Sequence, residues 1–180
     1  EKYISAVKSQ GGIGFAAHPN HLQNSYFNLE VSPWFSFENP DYTGIEIWSY
    51  MYDWSENVNL FNIFYYFFYP QKAIDGPPVD LLERWDEICQ NRRVVGIGSA
   101  DVHARYLFPF SFVKFLSYKK VFKGIRTHVL TKSPLSFSLE KDKWIIYDAL
   151  KAGNCFFSHD FLMNSKGFKF EANTSDGQKA

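Results

Sequence analysis

The residues with the clearest capacity for chemistry lie between Val94 and Arg105, in the run Val-Val-Gly-Ile-Gly-Ser-Ala-Asp-Val-His-Ala-Arg. The run opens with β-branched and small residues, as a buried strand does, and ends in Asp-x-His. Side chains two apart on a strand point the same way. Asp101 and His103 are therefore expected to face one point just past the strand end. A carboxylate oxygen and an imidazole nitrogen at one point make half of a site for Zn²⁺, Mn²⁺ or Fe²⁺. The plainer alternative is a turn Asp beside a solvated His. Gly96 and Gly98 leave room for another backbone to come close.

A second chemical point is His18. Ile13 to Ala17 reads as a short apolar strand that delivers His18-Pro19 at its end, and the proline is expected to hold His18 extended. Taken alone, such a His is usually structural. Paired with an Asp-x-His on another strand end, it becomes a candidate ligand. Glu46 sits between Ile45 and Ile47 in Thr43-Gly-Ile-Glu-Ile-Trp48. An acid in an apolar strand needs a partner, either hydrogen-bond donors or a nearby metal. Arg105 would fall on the side of His103 if the chain stays extended, where it would clamp an anionic substrate or pair with a surface acid. His159 ends a strand over Asn154–Ser158 and is a candidate pocket-lining residue. His21 reads as a bystander and His128 as structural.

The elements that must position these groups follow from periodicity. Tyr3 to Gln10 reads as a helix ended by Gly11-Gly12. Asn20 to Asp41 reads as a long aromatic loop, of the kind that forms a lid, pocket wall or contact surface. Asn57 to Tyr69 reads as an aromatic core helix closed by Pro70. Val79 to Asn91 reads as a helix with Leu81, Leu82, Trp85 and Ile88 at helical spacing. Gly124 to Thr131 reads as a strand. Ser138 is placed to cap a helix running to Lys151, with Glu140 and Asp142 near the positive end of its dipole. Gly153 stops that helix. Strands alternating with helices favour a parallel sheet or barrel, and each candidate ligand falls at the C-terminal end of its strand, where α/β barrels build their sites.

Composition narrows the options. The chain has 180 residues and zero formal net charge, enough for one core and against attachment to nucleic acid through a basic surface. Aromatic residues make up 19%, including 19 Phe, so much of that surface must be buried or covered by a partner. The most apolar run, Leu60 to Tyr69, is about half the ~20 residues of a membrane span. No signal peptide is evident. Cys89 and Cys155 read as buried thiols. The opening helix lacks an N-cap signal, and Gly167 to Ala172 alternates like a strand leading into a polar tail. The chain is therefore expected to be a piece of a longer protein.

Four motifs together resemble the later part of a PHP (polymerase and histidinol phosphatase) domain, closest to the CehA/McbA-type metallohydrolases. They are Gly-Gly-Ile-Gly-Phe-Ala-Ala-His-Pro at 11–19, Gly-Ile-Glu-Ile-Trp at 44–48, Glu-Arg-Trp-Asp at 83–86 and Gly-Ser-Ala-Asp-Val-His at 98–103. A helix followed by Leu150-Lys-Ala-Gly153 and a strand also matches that subgroup. The resemblance implies an α/β fold, the later part of a distorted (β/α)7 barrel over 1–160, with 161–180 leading into a following β domain. It implies two or three divalent metal ions (Zn, Mn or Fe) in a complete domain. His18, Asp101 and His103 match ligands, and Asp101 is also a candidate base. Glu46 matches a recurring position that is not usually a ligand. The family opens with His-x-His and adds further ligands before the Ala-His-Pro strand. Only ten residues precede Gly11, so this chain carries part of the site and is expected to be inactive alone.

The function implied is metal-dependent hydrolysis of a small-molecule phosphoester, with ester or amide (carbamate-type) hydrolysis as the alternative. A non-catalytic PHP-like module that binds through its aromatic loop is a third reading. Exposed sheet edges in a partial barrel predict self-association or pairing with an upstream half.

Overall fold

The computed structural model describes residues 2–20, 34, 36–103, 105–106 and 114–171. Helix α1 (Lys2–Ser9) leads into strand β1 (Phe15–Ala16). Strand β2 (Gly44–Ser49) passes directly into α2 (Tyr50–Asn57) and then α3 (Ile63–Phe68). A 3-10 turn over Pro70–Ala73 precedes α4 (Val79–Cys89) and β3 (Val95–Ser99). A short antiparallel pair, β4 (Arg105–Tyr106) and β5 (Lys114–Phe115), is followed by α5 (Tyr118–Val121). Strand β6 (Ile125–Val129), α6 (Leu139–Lys151) and β7 (Cys155–His159) follow.

The fold is mixed α/β. Strands β1, β2 and β3 form a parallel sheet in that order, with Ala16 opposite Ile45 and Glu46 opposite Ile97. A register shift between Glu46 and Trp48 interrupts the β2–β3 ladder. Parallel pairing follows from the long connections between these strands. Gly44 is required here: a Cβ on it would sit 2.2 Å from the Val95 carbonyl oxygen. Gly96 makes room for the Trp85 ring of α4, which would approach its Cβ to 2.7 Å.

Strands β6 and β7 pair with each other antiparallel. They are tied to β3 by the Thr127 hydroxyl, which donates to Gly98 O at 2.7 Å and accepts from Gly98 N at 3.0 Å. Gly153 lies against Val95, the Cys155 thiol against Gly96 O and Phe157 against Gly98. Strand β7 therefore runs beside β3 in the same direction, and His159 falls at the same end as the C-termini of β1, β2 and β3. Among the described residues these strands form no closed barrel.

Two apolar clusters hold the layers together. One joins Tyr42, Ile45 and Ile47 to Leu81 of α4 and Val94. The other joins Tyr50, Trp54 and Val58 to Ala73, Leu116, Val121 and Ile125.

Three local expectations are corrected. The single helix over 57–69 is instead α2, a turn and the six-residue α3. The turn is set by Asn59 and Asn62, whose side chains take the backbone N–H groups of Phe61 and Asn59 at 2.9 and 2.7 Å. Asparagine competes for backbone in this way, and that breaks the helix. The segment is core on one side only: Val58 is buried and Ile63 and Tyr66 pack against its cluster, while Phe61 is fully exposed. Residues 167–171 form no strand. Both cysteines are free, but Cys89 is exposed and only Cys155 is half-buried. No helix among the described residues is long and apolar enough to cross a membrane.

Candidate functional site

The parallel sheet brings three strand ends to one rim. At the end of β1, His18 has a φ of +30°, not the extended conformation that Pro19 alone would favour. Its N–H donates to Glu46 Oε2 at 2.6 Å, and this charge-assisted bond holds the turn. Glu46 is 4% exposed. Its second oxygen accepts a hydrogen bond from the Ser99 hydroxyl at the end of β3. The buried acid thus binds the ends of β1 and β3 from the middle of β2, and its partners are hydrogen-bond donors.

No motif or spacing pointed to Tyr52, the residue that completes this group. It lies on the first turn of α2, whose start directly after β2 was hidden in an aromatic run without a capping side chain. The Tyr52 and His18 rings lie 4.5 Å apart between centroids, tilted by 37°. Burial pushes the Tyr52 hydroxyl up, and the negative charges of Asp101 and Glu46 push it further. Tyr52 therefore shares a neighbourhood with His18, Glu46 and Asp101.

Asp101 reaches the rim by a different route from the one its spacing implies. Strand β3 ends at Ser99, and Asp101 has a φ of +39°. Strand alternation therefore does not apply to Asp101 and His103. Asp101 is half-buried, while His103 is exposed. Among the described residues, no three His, Cys, Asp or Glu side chains come together closely enough to hold a metal ion. Arg105 lies in β4, opposite Phe115; its side chain lies outside the described residues, as does all of His21.

His159 closes the rim on the β7 side. It is 8% exposed, and among the described residues neither ring nitrogen has a hydrogen-bond partner. Its ring meets Trp48 and Tyr50 edge-on, at 5.9 and 6.2 Å. Burial pushes its pKa below the usual histidine value, and the neighbouring Asp160 charge only partly opposes this. Trp48 is held in turn by Asp53, which accepts from its Nε1 at 2.7 Å and from the N–H groups of Asp75 and Gly76 at 3.1 Å.

His128 has a structural role, as expected. Its Nε2 lies 3.0 Å from Asp160 Oδ1, and its ring stacks on Phe156 at 4.6 Å. Burial alone would raise Asp160, but hydrogen bonds from Ser158 and His128 hold it below the ordinary carboxylate range.

An imidazole and a phenol ring therefore lie together at the strand ends, with the charge of the Asp101 carboxylate acting on the phenol hydroxyl. Comparisons with protein-family models, with curated proteins and with solved structures gave no match.

Proposed function

We propose that this chain is the later part of a PHP-type metallohydrolase, built on a distorted (β/α)7 barrel, that hydrolyses a small-molecule phosphoester. The observation that carries this reading is the shared neighbourhood of His18 and Asp101. They come from two different strand ends of one parallel sheet and meet through Tyr52: the His18 ring packs on it, the His18 N–H is held by Glu46, and the Asp101 charge acts on the Tyr52 hydroxyl. Strand ends of this kind are where α/β folds collect catalytic groups.

The donor chemistry fits a divalent cation: imidazole and carboxylate suit Zn²⁺, Mn²⁺ or Fe²⁺ alike. His18 and Asp101 would hold it, with His103 brought in from its exposed position and further ligands supplied from outside the described residues. Bound there, such an ion would activate water near neutral pH and neutralise charge on a phosphoryl oxygen. Glu46 fixes the backbone of His18 and the hydroxyl of Ser99, so the turn that carries His18 is set before any ion arrives. Tyr52 packs the His18 ring and stands beside Asp101, where its hydroxyl would donate to a substrate oxygen. Asp101 would take the proton from the attacking water. His159 lines the β7 side, and Arg105 would meet the anionic group of the substrate.

The test is calorimetric titration of the chain with Zn²⁺ or Mn²⁺, beside His18→Ala, Asp101→Ala and His103→Ala variants. The reading expects binding by the parent chain and at least a tenfold loss of affinity in each variant, the order expected for removing a metal-site interaction. Binding unchanged by all three substitutions, or no binding by the parent chain, contradicts it. Turnover of an aryl phosphate against an aryl carboxyl ester by the natural protein separates the phosphoesterase from the ester or amide alternative.

A further inference from the structure

Helix α3 is apolar on both faces. Its inner face, Ile63 and Tyr66, packs on the cluster of Tyr50, Trp54, Val58 and Ala73. Its outer face is Leu60, Phe61, Phe64, Tyr65, Phe68 and Tyr69, all at least half exposed, with Phe61 fully so. These positions recur at i, i+1, i+4, i+5, i+8 and i+9, which makes one continuous stripe along the helix and the turn before it. A helix that is apolar all round normally lies inside a structure. A fully exposed aromatic side chain presents roughly 200 Å², so the stripe amounts to roughly 800 Å², beyond the ~300–600 Å² of the largest patch on an ordinary monomer.

We propose that the outer face of α3 is the centre of a two-fold interface between two copies of this chain. The area is the first argument: roughly 800 Å² per copy is what a standard stable interface buries on each side. Composition is the second. From Asn57 to Gln71 there is no charged residue, and interface cores are depleted in charge and rich in Phe and Tyr. Symmetry is the third. In a two-fold contact each patch meets itself, so a charged face would repel its own copy, and this one does not. A lipid surface is the less fitting occupant, because interfacial helices carry Lys or Arg along their polar flank and this segment has none.

The fourth argument is that the exposure is built in. Asn62 bonds to Asn57 O at 2.9 Å and to Asn59 N at 2.7 Å. Asn57 in turn bonds to Ala73 O at 3.0 Å and to Asp53. This network holds the turn at the start of α3 and ties Asn57 before the helix to Ala73 beyond it, next to the buried cluster that the inner face packs on.

The experiment is sedimentation velocity on the chain over a concentration series, beside the triple variant Phe61→Glu/Phe64→Glu/Phe68→Glu and the control Phe170→Glu, which changes an exposed aromatic elsewhere. The proposal expects a dimer in the parent chain and in the control, and a monomer in the triple variant with an unchanged circular dichroism spectrum. If the triple variant loses its fold, Phe64→Lys alone reads the same surface and is expected to weaken dimerisation at least tenfold. A parent chain that is monomeric at every concentration overturns the proposal. So does a dimer indifferent to Phe64→Lys, or a monomer that pellets with phosphatidylcholine vesicles.

Discussion

The rim at the strand ends and the outer face of α3 depart from the ordinary distribution of residues in opposite senses. At the rim, polar groups are buried: Glu46, Ser49 and His159 are all under a tenth exposed. On α3, large apolar groups face outward. A buried polar group and an exposed apolar patch are the two informative exceptions to inside-apolar, outside-polar packing. Their energetics differ. The rim stores its cost within the chain, where each buried group depends on a named donor or goes without. The α3 face leaves its cost to be recovered by association. Substitutions at the rim should therefore change folding, and substitutions on α3 should change assembly.

The largest effect is expected at Glu46. Glu46→Ala removes the acceptor for both His18 N–H and the Ser99 hydroxyl. An unpaired buried donor costs about 1–3 kcal/mol, so the variant should lose about 2–4 kcal/mol in urea unfolding. By contrast, Phe61→Ala, read at concentrations where the chain is monomeric, should stay within about 0.5 kcal/mol, the range of surface substitutions. Equal losses at the two positions would erase the distinction between the regions.

A smaller and pH-dependent effect is expected at His159. Its folded pKa lies below the unfolded value of about 6.5. Between those two values the unfolded chain binds more protons, so stability rises with pH. The contribution is complete above the unfolded value and is lost as pH falls towards the folded one. The groups around the ring are Trp48, Tyr50 and Asp160. His159→Phe keeps a ring in the same apolar surroundings and removes the titration. Its stability advantage over the parent should be larger near pH 5 than above about pH 7. Chemical denaturation at both pH values checks this, and an unchanged pH slope would mean the ring is hydrated.

Much of this architecture was legible in the sequence. The apolar runs at Phe15, Ile45 and Val95 are short and β-branched or small, and Leu81, Leu82, Trp85 and Ile88 mark α4 by spacing alone. Gly153 ends α6 with a φ of +71°, as a helix-stopping glycine should. Glu46 was flagged as needing a partner because nothing apolar can satisfy a carboxylate. The illegible parts have physical causes as well. The α2–α3 boundary is set by Asn side chains bonding to the backbone, a local competition that hydrophobic spacing does not register. Aromatic residues at helical spacing look the same whether they face a core or a partner, so the outward face of α3 was unreadable. The positive φ at His18 and Asp101 is a tertiary outcome, and it displaced the simple strand geometry expected for Asp-x-His. Tyr52 was invisible because its role comes from a helix docking beside two other strand ends.

On the proposed function, His18 and Asp101 contribute to one metal-binding point. Paramagnetic Mn²⁺ added in trace amounts to isotopically labelled chain, with amide spectra recorded, tests it most directly. A shared metal-binding point would broaden His18, Tyr52 and residues 100–102 selectively, with the His128–Asp160 pair and α3 left sharp. Broadening centred on His128 and Asp160, or spread without preference over the surface acids, would contradict it.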